Sequence, residues 1–331
     1  MNAGFRPERT TFAPEFPTGE WLNGRGVPLS SLRGSPVIIY FWDYASLPSL
    51  TFLGEIRRLE RRYAEHGVLF IGIHTPTFSF ERERQQVALS AQRLPFSHQT
   101  LLDNEHTAAH AFHIPKIPAA YLVDPKGKIA GTNTRSMIAM ELKLQKTLRD
   151  LDPTASLPPL DRSPSEQNQP ELLELYAGMQ RGVLGNPEGY AVHAPILYRL
   201  PTRRRAGRFY IEGAWRAGEE HLAFEGQSEG IIHMPYDAVE VYAVFSPHHD
   251  LIERLLKPEP TTIEVWQDDR PLADEQRGDD LTADGRAIID RPRVYHLVRN
   301  GRQEQHELNL RVRSTGFSAY VFSLWGTASL V

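Results

Sequence analysis

Between residues 36 and 151 the chain alternates short, wholly apolar runs with segments whose apolar residues recur every three or four positions. PVIIYFW (36–42) and VLFIGIH (68–74) are continuous, rich in β-branched and aromatic residues, and predict strands buried on both faces. In LTFLGEIRRLERRYAEHG (50–67), Leu50, Leu53, Ile56, Leu59 and Tyr63 fall at helical steps and Gly67 stands as a C-cap. FERERQQVALSAQRL (80–94), EHTAAHAFH (105–113) and SMIAMELKLQKTLRDL (136–151) predict further helices. PAAYLVD (118–124) and KIAGTNT (128–134) predict a hairpin around Pro125-Lys126-Gly127. Alternating strands and helices that end in an antiparallel hairpin predict a mixed sheet with helices on both faces.

The rhythm then changes. DPTASLPPLDRSPSEQNQP (152–170) is rich in Pro and Ser and lacks periodicity, so it reads as a linker. LLELYAGMQRGVLGNPEGY (172–190) is expected to start as a short helix and to act as a lead-in strap. From about residue 208 the apolar positions alternate with polar ones. RFYIEGAWR, HLAFEGQ, GIIHMPY, VEVYAVFS, TIEVWQD, AIID, VYHLVR, ELNLRVR and SAYVFSLW predict short strands between Gly, Pro and Asp turns, hence a jelly-roll-like β-sandwich. The expected organisation is an α/β domain over 10–151, a linker over 152–170 and an all-β domain over 171–331.

Composition narrows the chemistry. A net charge of −4 gives no basic footprint for nucleic acid. No stretch approaches the ~20 apolar residues of a membrane helix, and MNAGFRPERTTFAPEF has no apolar run after Arg6 and Arg9, so a cytoplasmic location is expected. Cysteine is absent from all 331 residues, which rules out disulfide chemistry by the chain's own side chains.

The segments WLNGRGVPLSSLRGSPVIIYFWDYASLPS, GVLFIGIHTPTFSFE, LLDNEHTAAHAF and IPAAYLVDPKGKIAG occur in the order found in thioredoxin-fold redoxins of the TlpA and AhpC/TSA group. The chain resembles most closely the carboxyl-terminal region of DipZ-type proteins, which join a thioredoxin-like domain to a carbohydrate-binding-like β-sandwich. The resemblance implies an α/β thioredoxin fold and thiol–disulfide exchange at a turn reading F-W-x-Y-x-C-x-x-C. Ser46 and Ser49 occupy the two cysteine positions. A helix N-terminus lowers a thiol pKa from about 8.5 into the range of about 3.5–7.5, but cannot make a hydroxyl a redox nucleophile. Ser46 is therefore expected as an N-cap, with Pro48 early in the first turn. By the same resemblance Pro118 matches a cis-proline, and Trp42, Tyr44, Leu47, His74, Ile117 and Pro118 line a groove for an extended peptide or protein.

Three functions follow. The first is a binding or scaffold protein without redox chemistry, catalytic residue or cofactor. The second is a thiol–disulfide oxidoreductase in which two native cysteines have been exchanged for serine. The third is a sugar-binding protein working through the sandwich, whose aromatics Trp215, Tyr236, Tyr242, Trp266, Tyr295 and Trp325 alternate with polar residues. His106, His110 and His113 fall on one helical face, yet no carboxylate or thiolate completes a metal set, so no metal is expected. His248-His249 and Arg203-Arg204-Arg205 read as solvated surface.

Overall fold

The computed structural model describes residues 11–92, 98–132, 136–161 and 171–327. The chain divides into two compact units at Asn168/Gln169. The first holds a six-stranded sheet in the order β1-β4-β3-β2-β5-β6: β1 (Trp21–Leu22), β2 (Val37–Trp42), β3 (Leu69–His74), β4 (Thr100–Leu102), β5 (Ala119–Val123) and β6 (Ile129–Thr132). Strands β2, β3 and β4 are parallel; β1, β5 and β6 run antiparallel to their neighbours. The helices are α1 (Leu47–Tyr63), α2 (Arg84–Gln92), α3 (Thr107–Ala111) and α4 (Met137–Leu151). This is the mixed sheet of a thioredoxin fold.

Every residue of β2 is buried, as its unbroken apolar run requires. Val37, Ile39 and Phe41 form one core with Ile71, Ile73, Ala108, Ala109 and Phe112, which sets α3 against that face. Helix α1 begins at Leu47, earlier than the apolar spacing indicates, and Gly67 lies in the left-handed region just beyond it, at φ 69°. His106 and His113 have positive φ and flank a helix of only five residues, so the helix expected over 105–113 is cut short at both ends, with the His106 and His110 rings 6.4 Å apart.

The first part of the expected linker belongs to the first unit. Glu141 on α4, 2 % exposed, accepts from Arg62, the Tyr63 hydroxyl and Asp161 N, at 2.9, 2.8 and 2.9 Å. Gln145 donates to the Pro158 carbonyl at 2.7 Å. Residues 152–161 thus carry no regular element but are pinned to α1 and α4; residues 162–170 lie outside the described residues, as do 93–94 and 133–134 of the expected helix and hairpin.

The second unit is one curled antiparallel sheet of twelve strands. They are β7 (Glu171–Tyr176), β8 (Ile196–Tyr198), β9 (Tyr210–Ala217), β10 (Leu222–Phe224), β11 (Gly230–Asp237), β12 (Glu240–Ser246), β13 (Thr261–Gln267), β14 (Arg270–Pro271), β15 (Arg286–Ile289), β16 (Arg293–Arg299), β17 (Gln305–Val312) and β18 (Ser318–Thr327). A short helix, α5 (Leu251–Leu256), follows β12. The sandwich arises because β9 serves both layers. Its first residues, Tyr210–Glu212, pair with β11, and Gly213 onward pairs with β8 and β10. Gly213 makes the crease at φ 97°, where a Cβ would lie 2.9 Å from the Glu229 carbonyl. Phe209, Trp215, Phe224, Phe245, Leu310 and Phe322 fill the core between the layers.

Two expectations are corrected. Residues 171–176 form a strand and not a helix: β7 pairs with β18 along its length, and that pairing overrides the helical preference of the Leu-Glu run. His248 and His249 are not free surface groups. They stack with each other at 4.7 Å, and His249 stacks on His221 at 4.6 Å. Burial, then His249, Arg216 and His248, drive the His221 pKa down to about 3. The neutral ring therefore favours the folded state. Its contribution is present above pH 6.5, the ordinary histidine value, and is lost as pH falls toward 3. Between pH 7 and 5 the second unit is expected to lose about 2 kcal/mol through this residue, and His221→Gln should flatten that slope in thermal melts at the two pH values.

Candidate functional site

Four strand ends converge in the first unit. Parallel pairing aligns Trp42 with His74 and His74 with Leu102, and Phe41 pairs with Ala119 at the start of β5. The turn Asp43–Ser46, the segment after His74 and the Ile117–Pro118 peptide therefore share one edge, outside the carboxyl ends of the parallel strands. The Ile117–Pro118 bond is cis.

Ser46 is the N-cap of α1. It has extended backbone, and its Oγ accepts from Ser49 N at 3.2 Å. The same hydroxyl donates to Asp43 Oδ1 at 2.6 Å. Ser49 is fully buried, and its Oγ accepts from Asp43 N at 3.2 Å. The Thr77 hydroxyl donates to Asp43 Oδ2. Both serines thus clasp Asp43, whose buried carboxylate faces the hydroxyl-bearing residues Ser46, Ser49 and Thr77.

A second buried acid lies beneath. Glu81 Oε1 accepts from Tyr44 N and Ala45 N at 3.1 and 3.0 Å, and Oε2 from Thr77 N and Phe78 N at 2.8 and 2.9 Å. Glu81 therefore fastens the turn before α1 to the loop after β3. Burial and the charge of Asp43 push its carboxyl well above the usual carboxylate range, against the pull of the backbone donors. Burial likewise raises Asp43, opposed by hydrogen bonds from Ser46, Ser49 and Thr77.

His74 is wholly buried between Trp42, at 5.1 Å between ring centroids, and Tyr44, at 5.7 Å. Both its ring nitrogens lack a hydrogen-bond partner, and Nε2 stands 4.0 Å from Glu81 Oε1. Burial drives its pKa down to about 3, so it is neutral at pH 7. Ser46 takes Asp43 as its acceptor rather than His74.

The groove assignment narrows accordingly. Trp42, Tyr44, Leu47 and His74 are buried and form a floor, whereas Ser46, Pro48, Ile117 and Pro118 are half-buried and reach the surface. Asp43, Thr77 and Glu81 are the functional candidates that pattern alone missed. An aspartate directly after a buried strand was the available signal for the first. Glu81 carried none, since FERER has the look of a charged helical face. Among the described residues no three His, Asp or Glu side chains group as metal ligands, and no helix is long and apolar enough to cross a membrane.

Residues 11–132 match the AhpC/TSA family, and residues 173–324 match the family described as thioredoxin like C-terminal domain. The chain is a thioredoxin-like redoxin. Over 275 residues the redoxin is 28 % identical to Protein DipZ of Mycobacterium tuberculosis and of Mycobacterium bovis, an alignment that takes in 77 % of this chain and 39 % of each relative. The redoxin thus spans 39 % of the length of those DipZ proteins. Thiol-disulfide oxidoreductase ResA of Bacillus subtilis is 24 % identical over 138 residues, 40 % of this chain and 74 % of ResA. A thiol-disulfide isomerase from Corynebacterium glutamicum, a solved structure, covers 41 % of the redoxin and 96 % of its own chain at 18 % identity and TM-score 0.36.

Proposed function

We propose that this redoxin acts by binding and not by dithiol exchange, its first unit holding an extended peptide or protein segment beside Ser46 and Ile117–Pro118. The hydrogen bond from Ser46 Oγ to the buried Asp43 carboxylate, at 2.6 Å, carries this assignment. A reactive thiolate requires positive charge and spare donors around it. Here the position is met by a carboxylate, which welcomes a hydroxyl proton and repels a sulfur anion. The same contact speaks against an oxidoreductase whose two cysteines were merely exchanged for serine.

The half-buried Ser46, Pro48, Ile117 and Pro118 supply the surface, and the buried aromatic floor holds it in shape. Two measurements test the assignment. Insulin reduction by the purified chain with dithiothreitol is expected to stay at the buffer rate; turnover above it overturns the proposal. Titration with an unfolded, carboxymethylated peptide is expected to show saturable binding that Ile117→Asp weakens at least about fivefold, or ~1 kcal/mol. Equal binding by the variant would remove the groove.

A further inference from the structure

The outer face of β13, β15 and β17 carries a row of opposed charges. The antiparallel register sets Glu264 opposite Arg286 on one side and Arg311 on the other. Thr262 and Trp266, two residues away along β13, share its face. Thr262, Glu264, Arg286, Arg311, Arg313 and Ser314 line a cleft of ≈ 230 Å³. An adjoining cleft of ≈ 170 Å³ shares Glu264 and Arg286 and is lined also by Trp266, Pro271 and Asp284.

Around the first cleft three guanidinium groups meet three carboxylates, Glu264, Asp284 and Glu229, but the pairing leaves one arginine out. Arg286 reaches Asp284 at 3.3 Å and Glu264 at 3.9 Å; Arg313 reaches Glu229 at 2.8 Å and Glu264 at 3.6 Å. Arg311 has no ion-pair partner among the described residues. Its Nε is buried without a hydrogen-bond acceptor, and its guanidinium lies 4.3 Å over the Trp266 ring. The cation–π contact offsets only part of the lost hydration of that charge. A planar donor fork stacked on an aromatic ring is set for a planar anion that brings an apolar ring face with it.

We propose that the paired clefts bind an acidic saccharide, its carboxylate or sulfate on Arg311 and Arg313 and its ring along Trp266. Glu264 and Asp284, with the Thr262 and Ser314 hydroxyls, answer the hydroxyl groups of a sugar; the same carboxylates repel a polyphosphate. Each cleft is smaller than the ~300 Å³ at which enclosed ligand pockets begin, which suits a saccharide chain lying along the strands. The site is independent of the binding role of the first unit.

Calorimetric titration of the full chain at fixed ionic strength tests it, with galacturonate oligomers, sulfated heparin oligomers, neutral malto-oligosaccharides and sodium sulfate. At least one acidic oligomer is expected to bind, at least about tenfold tighter than the neutral sugars and sulfate, and to weaken as salt rises. Comparing the galacturonate and heparin arms identifies which anion is preferred. Arg311→Gln and Trp266→Ala should each weaken binding about tenfold without moving the melting temperature of the second unit. Four outcomes would overturn the site: neutral sugars binding as well, free sulfate binding as well, unchanged affinity in Arg311→Gln, or no binding by any oligomer.

Discussion

Glu81→Ala is expected to destabilise the first unit by about 4 kcal/mol or more, enough to leave it largely unfolded in a domain of ordinary stability. Four backbone N–H groups, of Tyr44, Ala45, Thr77 and Phe78, have Glu81 as their acceptor. Tyr44, Ala45 and Phe78 are buried, so water does not replace it. Each orphaned buried donor costs ~1–3 kcal/mol, and alanine orphans several at once. Removing the buried charge returns part of that cost, since burial and Asp43 oppose ionisation of Glu81. Glu81→Gln separates the two effects. It removes the charge but turns an amide NH₂ toward two of the N–H donors, so it should remain clearly destabilising. Scanning calorimetry of the full chain provides the check: a fall of about 10 °C or more is expected in the transition of the first unit. A fall of only two or three degrees in both variants would mean that the turn before α1 is held by something else.

Ser46→Cys should yield a sluggish thiol, although it places sulfur at a helix N-terminus. The chain has no other cysteine, so the introduced one is the single alkylation site. The cap position by itself lowers a thiol pKa, and a carboxylate at hydrogen-bond distance raises it. With Asp43 2.6 Å from the Ser46 oxygen and buried beside it, the carboxylate is expected to win. At pH 8, Ser46→Cys with Asp43→Asn should react with iodoacetamide at least about tenfold faster than Ser46→Cys alone, one pKa unit being a factor of ten in thiolate at low occupancy. Equal rates would show that Asp43 exerts no electrostatic hold on the cap position.

Much of the architecture was legible because burial leaves a periodic trace. β2 and β3 announced themselves as unbroken apolar runs, and β9 to β13 and β15 to β18 largely as alternation. β7 was not legible, since Leu-Glu repeats suit a helix and only pairing with β18 makes them a strand. α5 and the very short β8 and β14 are too brief to establish a period. At the site, the serines and the strand edge could be read, but depth could not. Trp42, Tyr44 and His74 lie only a few residues from the half-buried Ser46 and Thr77 and are nonetheless sealed inside. Glu81 became visible only in three dimensions, because what makes this carboxyl structural is the set of N–H groups that the fold aims at it.

The crease at Gly213 has a mechanical consequence. One continuous strand supplies amides to both layers of the second unit, so neither layer can peel away while the other keeps its full edge. A Cβ at that bend would press on the Glu229 carbonyl and on Gly230 at the start of β11, so a side chain there would loosen the hinge and the neighbouring layer together. The two halves of the sandwich are in effect stitched by a single thread, and disturbance on one side is carried through it to the other.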